Sequence, residues 1–286
     1  MFSSYLIGLR EGLEAALIVA ILVAYLVRTS NGHALSRLWL GVGAAVALSV
    51  GLGLALTFVN DELSEQAAEA FAGVTSLLAV VLITWMIFWM ARNARNIKAH
   101  LHGELDKALA TSTVAVSMVA FLAVIREGLE TAIFLWAGIR ASGDGTTAVL
   151  GAVLGLLTAV VLGFFMYKGA VRLNLTALFT WTGALLVIVA GGILRYAVHE
   201  FQELGWLPGE DNIAIDVSST FPPDGVVATF VRGLVSLSPT MTWLEVIAWL
   251  LYVIPTLIAF FFVIRGRKSS PVTTKQSADA EQSVSG

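Results

Sequence analysis

The sequence predicts an all-α integral membrane protein with seven transmembrane helices. Three observations carry that prediction. Of the 286 residues, 57% are hydrophobic and only 13% charged, with a mean hydropathy of +0.84; a soluble domain carries about 25% charged residues. Seven stretches, 4–27, 36–58, 70–91, 111–138, 146–168, 174–198 and 242–264, reach the roughly 20 apolar residues that a bilayer crossing needs. The segments between them alternate in charge, as connections on opposite sides of a membrane do.

Span one begins almost at Met1, with no basic region before it, and contains a charged pentad. It reads as a permanent span and not as a cleaved signal peptide. Spans two and five carry glycine-rich faces (Gly41, Gly43, Gly51, Gly53; Gly151, Gly155, Gly163), and such faces let helices approach closely. Span three ends in Trp85, Met86, Trp89 and Met90; an interfacial aromatic belt explains the tryptophans and plain packing the methionines. Span seven contains Pro255, expected to kink it.

Arg28 and Arg37 make the first connection basic, and Asp61, Glu62, Glu65 and Glu69 make the second acidic. The third holds Arg92, Arg95, Lys98 and Lys107, the short fourth Arg140 and Asp144, and the fifth Lys168 and Arg172. The sixth is long and acidic, with Glu200, Glu203, Glu210, Asp211, Asp216 and Asp224 against Arg232; Arg265, Arg267 and Lys268 follow span seven. The positive-inside rule then places the N-terminus outside and the C-terminus in the cytoplasm. The expected organisation is one transmembrane domain, 1–268, with a disordered cytoplasmic tail, 269–286, that lacks apolar periodicity. The outer loop, 200–241, is long enough to be a binding loop or lid. Within it a short interfacial helix over 224–235 is expected between Pro222-Pro223 and Pro239.

The pentad Arg10-Glu11-Gly12-Leu13-Glu14 recurs letter for letter as Arg126-Glu127-Gly128-Leu129-Glu130, in span four. Three spans separate the copies, so the second crosses the membrane in the opposite sense. That is the signature of an inverted repeat, here 4–91 against 111–198, with the seventh span left over. Phe71 to Val81 in span three and Phe179 to Val189 in span six show a weaker likeness. Both pentads fall near the midplane, where inverted-repeat transporters bind their substrates.

Ionisable residues at that depth are rare and usually functional. Glutamates three apart share one helix face, so two facing helices would present Glu11, Glu14, Glu127 and Glu130. Oxygen-only ligands suit hard cations. Crowded carboxylates would hold protons in an empty site and release them as a metal enters. Arg10 and Arg126 each lie four residues before a glutamate and could be simple intrahelical partners. Gly12 and Gly128 allow either close helix approach or a local break that exposes backbone carbonyls.

The doubled pentad resembles the hallmark of the oxidase-dependent iron transporter family, which includes bacterial and fungal iron permeases. The likeness extends to the seven spans, the outside N-terminus and the acidic outer segments. It implies that Glu11, Glu14, Glu127 and Glu130 translocate iron, with Arg10 and Arg126 as their motif partners. It also implies that iron is a substrate and not a resident cofactor, carried as Fe3+ after oxidation or as Fe2+. A periplasmic or extracellular iron oxidase or iron-delivery protein at the outer loops is the implied partner. Another divalent cation, such as Mn2+ or Pb2+, would use the same carboxylates.

Secondary candidates flank the spans. Glu200 and Glu203, preceded by His199, form an E-x-x-E pair at the outer end of span six; the resemblance suggests an ion-receiving element, and a solvated acidic helix end is the plainer account. Glu62 and Glu65, with Glu69, form a second acidic face, better explained by acids near a helix N-terminus. His100, His102, Glu104 and Asp106 could receive the ion on the cytoplasmic side. Their spacing of two fits an extended loop, and their basic neighbours favour a merely solvated one. Arg195, His199 and Glu245 could line the entrance or snorkel to the interface, which is preferred.

Several classes are excluded or disfavoured. The absence of cysteine removes disulfides, thiolate metal sites and iron–sulfur clusters. No Walker A motif points to ATP. No H-E-x-x-H motif lies within a span, as a zinc enzyme would want, so an enzyme is not expected. No span core holds a lysine for a retinal Schiff base, and no nucleic-acid partner is expected.

Overall fold

The computed structural model describes residues 1–93, 97–143, 145–168, 175–216 and 240–266. Among them are eight α-helices: α1 (Phe2–Arg28), α2 (Leu35–Glu62), α3 (Glu65–Asn93), α4 (Ile97–Thr111), α5 (Thr113–Ser142), α6 (Gly145–Tyr167), α7 (Leu175–Glu203) and α8 (Trp243–Gly266). Five of these, α2, α3, α6, α7 and α8, are long and apolar enough to cross a membrane. Helices α1 and α5, at 27 and 30 residues, are as long, but the pentads lower their apolar character. The outward surface is greasy: Leu40, Leu54 and Phe58 on α2 and Leu251 and Phe262 on α8 are exposed. Such a surface is a liability in water and ordinary in hydrocarbon.

Local chemistry sets where the helices break. The Ser112 hydroxyl accepts a hydrogen bond from the Ala115 N–H at 3.2 Å and so caps the start of α5. Gly143, at φ 69°, takes the left-handed turn that ends it.

At the centre α1 and α5 run antiparallel. Ile7, early in α1, shares a buried cluster with Phe134 and Ala137, late in α5. Leu22 and Leu26, late in α1, share another with Val116 and Ala120, early in α5. Each central helix has a partner behind it, α6 for α1 and α2 for α5; α3 packs on α7, and α8 on α7. A side chain at Gly151 would strike the Met1 carbonyl, and one at Gly41 the Ser117 carbonyl. These glycines therefore bring α6 onto α1 and α2 onto α5 at backbone contact. The rest of the α2 glycine face behaves differently: among the described residues, a Cβ added at Gly43, Gly51 or Gly53 would meet nothing within 4 Å.

One expectation is corrected. The stretch holding His100, His102, Glu104 and Asp106 is not an extended loop but the helix α4. The spacing of two among its polar residues is overridden by Leu101, Leu105 and Ala108, which fall on one helical face and bury against Leu22, Leu26 and Leu38. The fold is all-α as expected, with one short hairpin in which β1 (Ile213–Asp216) pairs antiparallel with β2 (Thr240–Thr242) just before α8. Helix α8 continues through Pro255. The expected helix at 224–235, the tail 269–286 and the side chains of His100 and His102 lie outside the described residues.

Candidate metal-translocation site

Both pentads lie within unbroken helices, so the three-residue spacing keeps each glutamate pair on one face. The antiparallel crossing then sets the two faces together. Carboxylate oxygens of Glu11, Glu14 and Glu127 lie within 4.8 Å of one another, and all three residues are buried. Among the described residues, neither oxygen of Glu11 meets a hydrogen-bond donor. Burying a carboxylate without a donor is costly, and three carboxylates gathered this closely are an arrangement that a cation relieves.

The intrahelical partners are present as spaced. Arg10 Nε lies 3.3 Å from Glu14 Oε1 and Arg126 Nε 3.0 Å from Glu130 Oε1. Only the second is also a well-formed hydrogen bond; Arg10 Nε and Nη1 are buried without one. Each arginine approaches the adjacent glutamate, Glu11 or Glu127, no closer than 3.9 Å. The two copies differ in exposure. The Arg10 side chain is 1% exposed, while that of Arg126 is 37% exposed and stacks on the Trp89 ring, 4.3 Å from its centre.

Neither pentad glycine breaks its helix. Gly12 abuts Leu156 and Ala159 of α6, and Gly128 abuts Ser49 of α2. Their small size seats α1 and α5 on their backing helices and leaves the glutamates on the opposite flank. Apolar clusters lie on both sides of the charged layer. One joins Ile7 to Phe134 and to residues of α3, α7 and α8; the other joins Leu22 and Leu26 to α4.

The other candidates do not converge on the pentads. At the end of α7, Glu200 is buried and hydrogen-bonded to Tyr196, whereas Glu203 pairs with His199 at 3.4 Å. His199 also reaches Glu245 at 3.0 Å. The expectation that Arg195 and Glu245 snorkel is corrected: they are 5% and 1% exposed and pair at 3.3 Å, tying α7 to α8. Sequence reading missed this pair because its members stand on separate helices. Glu62 ends α2 and does not share a helix start with Glu65, which opens α3; both are exposed. Glu104 pairs with Lys107 at 3.0 Å, and Asp106 accepts a hydrogen bond from the Tyr25 hydroxyl, which fastens α4 to α1.

The sequence matches the model of the iron permease FTR1 family over residues 1–273. The chain belongs to that family. It is 41% identical over 263 residues to the ferrous iron permease EfeU of Escherichia coli O6:H1, a match covering 91% of this chain and 95% of that one. The ferrous iron permease EfeU of Shigella sonnei is similar to the same degree and extent. That of Yersinia pestis is 36% identical over 276 residues, covering 95% of this chain and 97% of the relative. No solved structure matches. Family membership and the apolar helices together make this FTR1-family protein a multi-pass iron permease of the bacterial inner membrane.

Proposed function

We propose that the chain carries Fe2+ into the cytoplasm through a midplane site formed by Glu11, Glu14, Glu127 and Glu130. The observation that carries this reading is the meeting of Glu11, Glu14 and Glu127 oxygens within 4.8 Å, in a layer that offers Glu11 no donor. Charge balance supports the ferrous ion. Four carboxylates and two guanidiniums leave two negative charges when all are ionised. One Fe2+ neutralises them, whereas Fe3+ would leave a buried positive charge, which is costly in a dry interior. The relatives are named as ferrous iron permeases, which agrees.

The same reading takes α1, α2, α3, α5, α6, α7 and α8 as seven spans, with the N-terminus outside. It relates α1–α3 to α5–α7 as an inverted repeat. Packing supports the repeat. The shift that carries Glu11 onto Glu127 also carries Met1 onto Ser117. The shift that carries Gly41 onto Gly151 carries Ser49 onto Ala159. Hence the contact of Gly41 with Ser117 mirrors that of Gly151 with Met1, and Gly128 on Ser49 mirrors Gly12 on Ala159. On this orientation Glu200, Glu203 and His199 lie at the outer mouth, where an iron oxidase or delivery protein would dock.

Uptake into proteoliposomes tests the reading, with Fe2+, Fe3+ and Mn2+ compared. Wild type should favour Fe2+, and Glu14→Gln or Glu127→Gln should abolish uptake while the protein stays monodisperse. Equal transport of Fe3+, or wild-type uptake by both variants, would refute it. Preference for Mn2+ would reassign the cargo and retain the site.

A further inference from the structure

The two pentads are identical in sequence and unequal in setting, and the inequality points to different work for the two arginines. Arg10 is sealed in, 1% exposed, against Glu14. Arg126 is 37% exposed, bound through Nε to Glu130 at 3.0 Å, and laid over the Trp89 ring at 4.3 Å. A cation within about 6 Å of an indole centre is attracted to its face. A guanidinium that is 37% exposed can move without first unpacking a core. Glu130 is also the one pentad glutamate outside the three-carboxylate group. Its Oε1 is held by Arg126, and its Oε2 is buried without a partner. Among the described residues no ring takes the Arg10 guanidinium as Trp89 takes that of Arg126: the shift that carries Phe71 onto Phe179 carries Trp89 onto Ala197.

We infer that Arg126 is a displaceable counter-cation for Glu130 and that Trp89 is the positioning residue that receives it. In the ion-free site Arg126 neutralises Glu130. When Fe2+ reaches the three carboxylates, Glu130 turns to complete the ligand set, and the guanidinium stays on the Trp89 face. When Arg126 reclaims Glu130, the ion loses a ligand and leaves. Arg10 remains a fixed partner of Glu14 throughout. No bond is made or broken; one ion pair exchanges for another. The inference depends on the four-glutamate reading and adds a release step to it.

The test is a double-mutant cycle on the full chain, reading Fe2+ affinity under anaerobic conditions together with uptake. Trp89→Leu should weaken Fe2+ binding by up to about thirty-fold, the top of the range of cation–π strengths, because the ring shares the guanidinium with Glu130 before the ion arrives and holds it alone afterwards. Trp89→Phe, which retains a ring and much of the packing, should fall between it and wild type. Arg126→Met should bind Fe2+ at least as tightly as wild type yet transport it more slowly. Adding Trp89→Leu to Arg126→Met should change affinity no further, a result that a merely structural tryptophan would not give. Wild-type affinity in both Trp89 variants, equal losses in the two backgrounds, or weakened binding in Arg126→Met would overturn the inference. Wild-type Fe2+ binding by Glu14→Gln and Glu127→Gln would instead overturn the site itself.

Discussion

Replacing Glu11 should make the protein more stable and useless. The Glu11 side chain is fully buried, and neither of its oxygens meets a donor among the described residues. Its nearest cation, Arg10 Nη1, is 3.9 Å away, too far for a hydrogen bond. Oxygens of Glu14 and Glu127 lie within 4.8 Å and repel it. A carboxyl group in that position costs the folded state several kcal/mol, either as an unpaired ion or as a buried acid without partners that must take up a proton to escape the charge. Arg10 would not be stranded by its loss, because Glu14 remains 3.3 Å from Nε. Glu11→Leu, close in volume, should therefore stabilise the metal-free protein by about 1–4 kcal/mol, the range seen when apolar side chains replace buried ion groups. Glu11→Gln should gain less, since its amide still lacks partners. The assay is thermal unfolding of detergent-solubilised protein without metal, paired with Fe2+ uptake. Fe2+ should raise the wild-type midpoint, as any ligand of the folded state does, and should leave that of Glu11→Leu unmoved. A lowered midpoint in metal-free Glu11→Leu would show that Glu11 braces the fold. Retained uptake would show that it is not a ligand. Either result refutes the argument.

Two further predictions concern the scaffold. Gly41→Ala and Gly151→Ala must displace the carbonyls of Ser117 and Met1 and should each cost about 1–3 kcal/mol by overpacking. Gly43→Ala, facing open space, should be neutral or gain up to about 1 kcal/mol from helix propensity; unfolding midpoints of the three variants compare them directly. Glu245→Ala leaves the buried Arg195 without its 3.3 Å partner and should cost about 3–5 kcal/mol. Glu203→Ala, at a half-exposed pair, should cost less than about 1 kcal/mol by the same measurement.

The pentads stood out in the sequence because their signal is local: three charges in five residues of an apolar helix, twice; the structure brings Glu11, Glu14 and Glu127 together. Hydrophobic length similarly identified the five apolar helices, since a span must satisfy its own backbone. What stayed hidden depends on partners distant in the chain. The sequence marks Gly41, Gly43, Gly51 and Gly53 as equally small, yet only Gly41 among them meets a neighbouring backbone. Arg195 and Glu245 each look like an interfacial charge until their helices are laid side by side. Helix α4 did carry a local signal, in Leu101, Leu105 and Ala108, but the alternating polar residues between them drew the reading to an extended chain.

The same reasoning bears on the arginines. Arg10 and Arg126 occupy identical pentads, so no local rule can distinguish them. The difference comes from what each helix meets: Trp89 reaches Arg126 from α3, while the residue that the sequence shift matches to Trp89 in α7 is Ala197. A transporter built from two like halves needs such a difference somewhere if its site is to hold an ion on one occasion and release it on another. Two equally sealed arginines would each lock a glutamate, and two equally free ones would leave no fixed charge to define the site. On the proposed reading, one of each gives the carboxylate layer a constant member, Glu14 with Arg10, and a variable one, Glu130 with Arg126; the repeat would then supply the ligands, and the departures from it would decide when they are available.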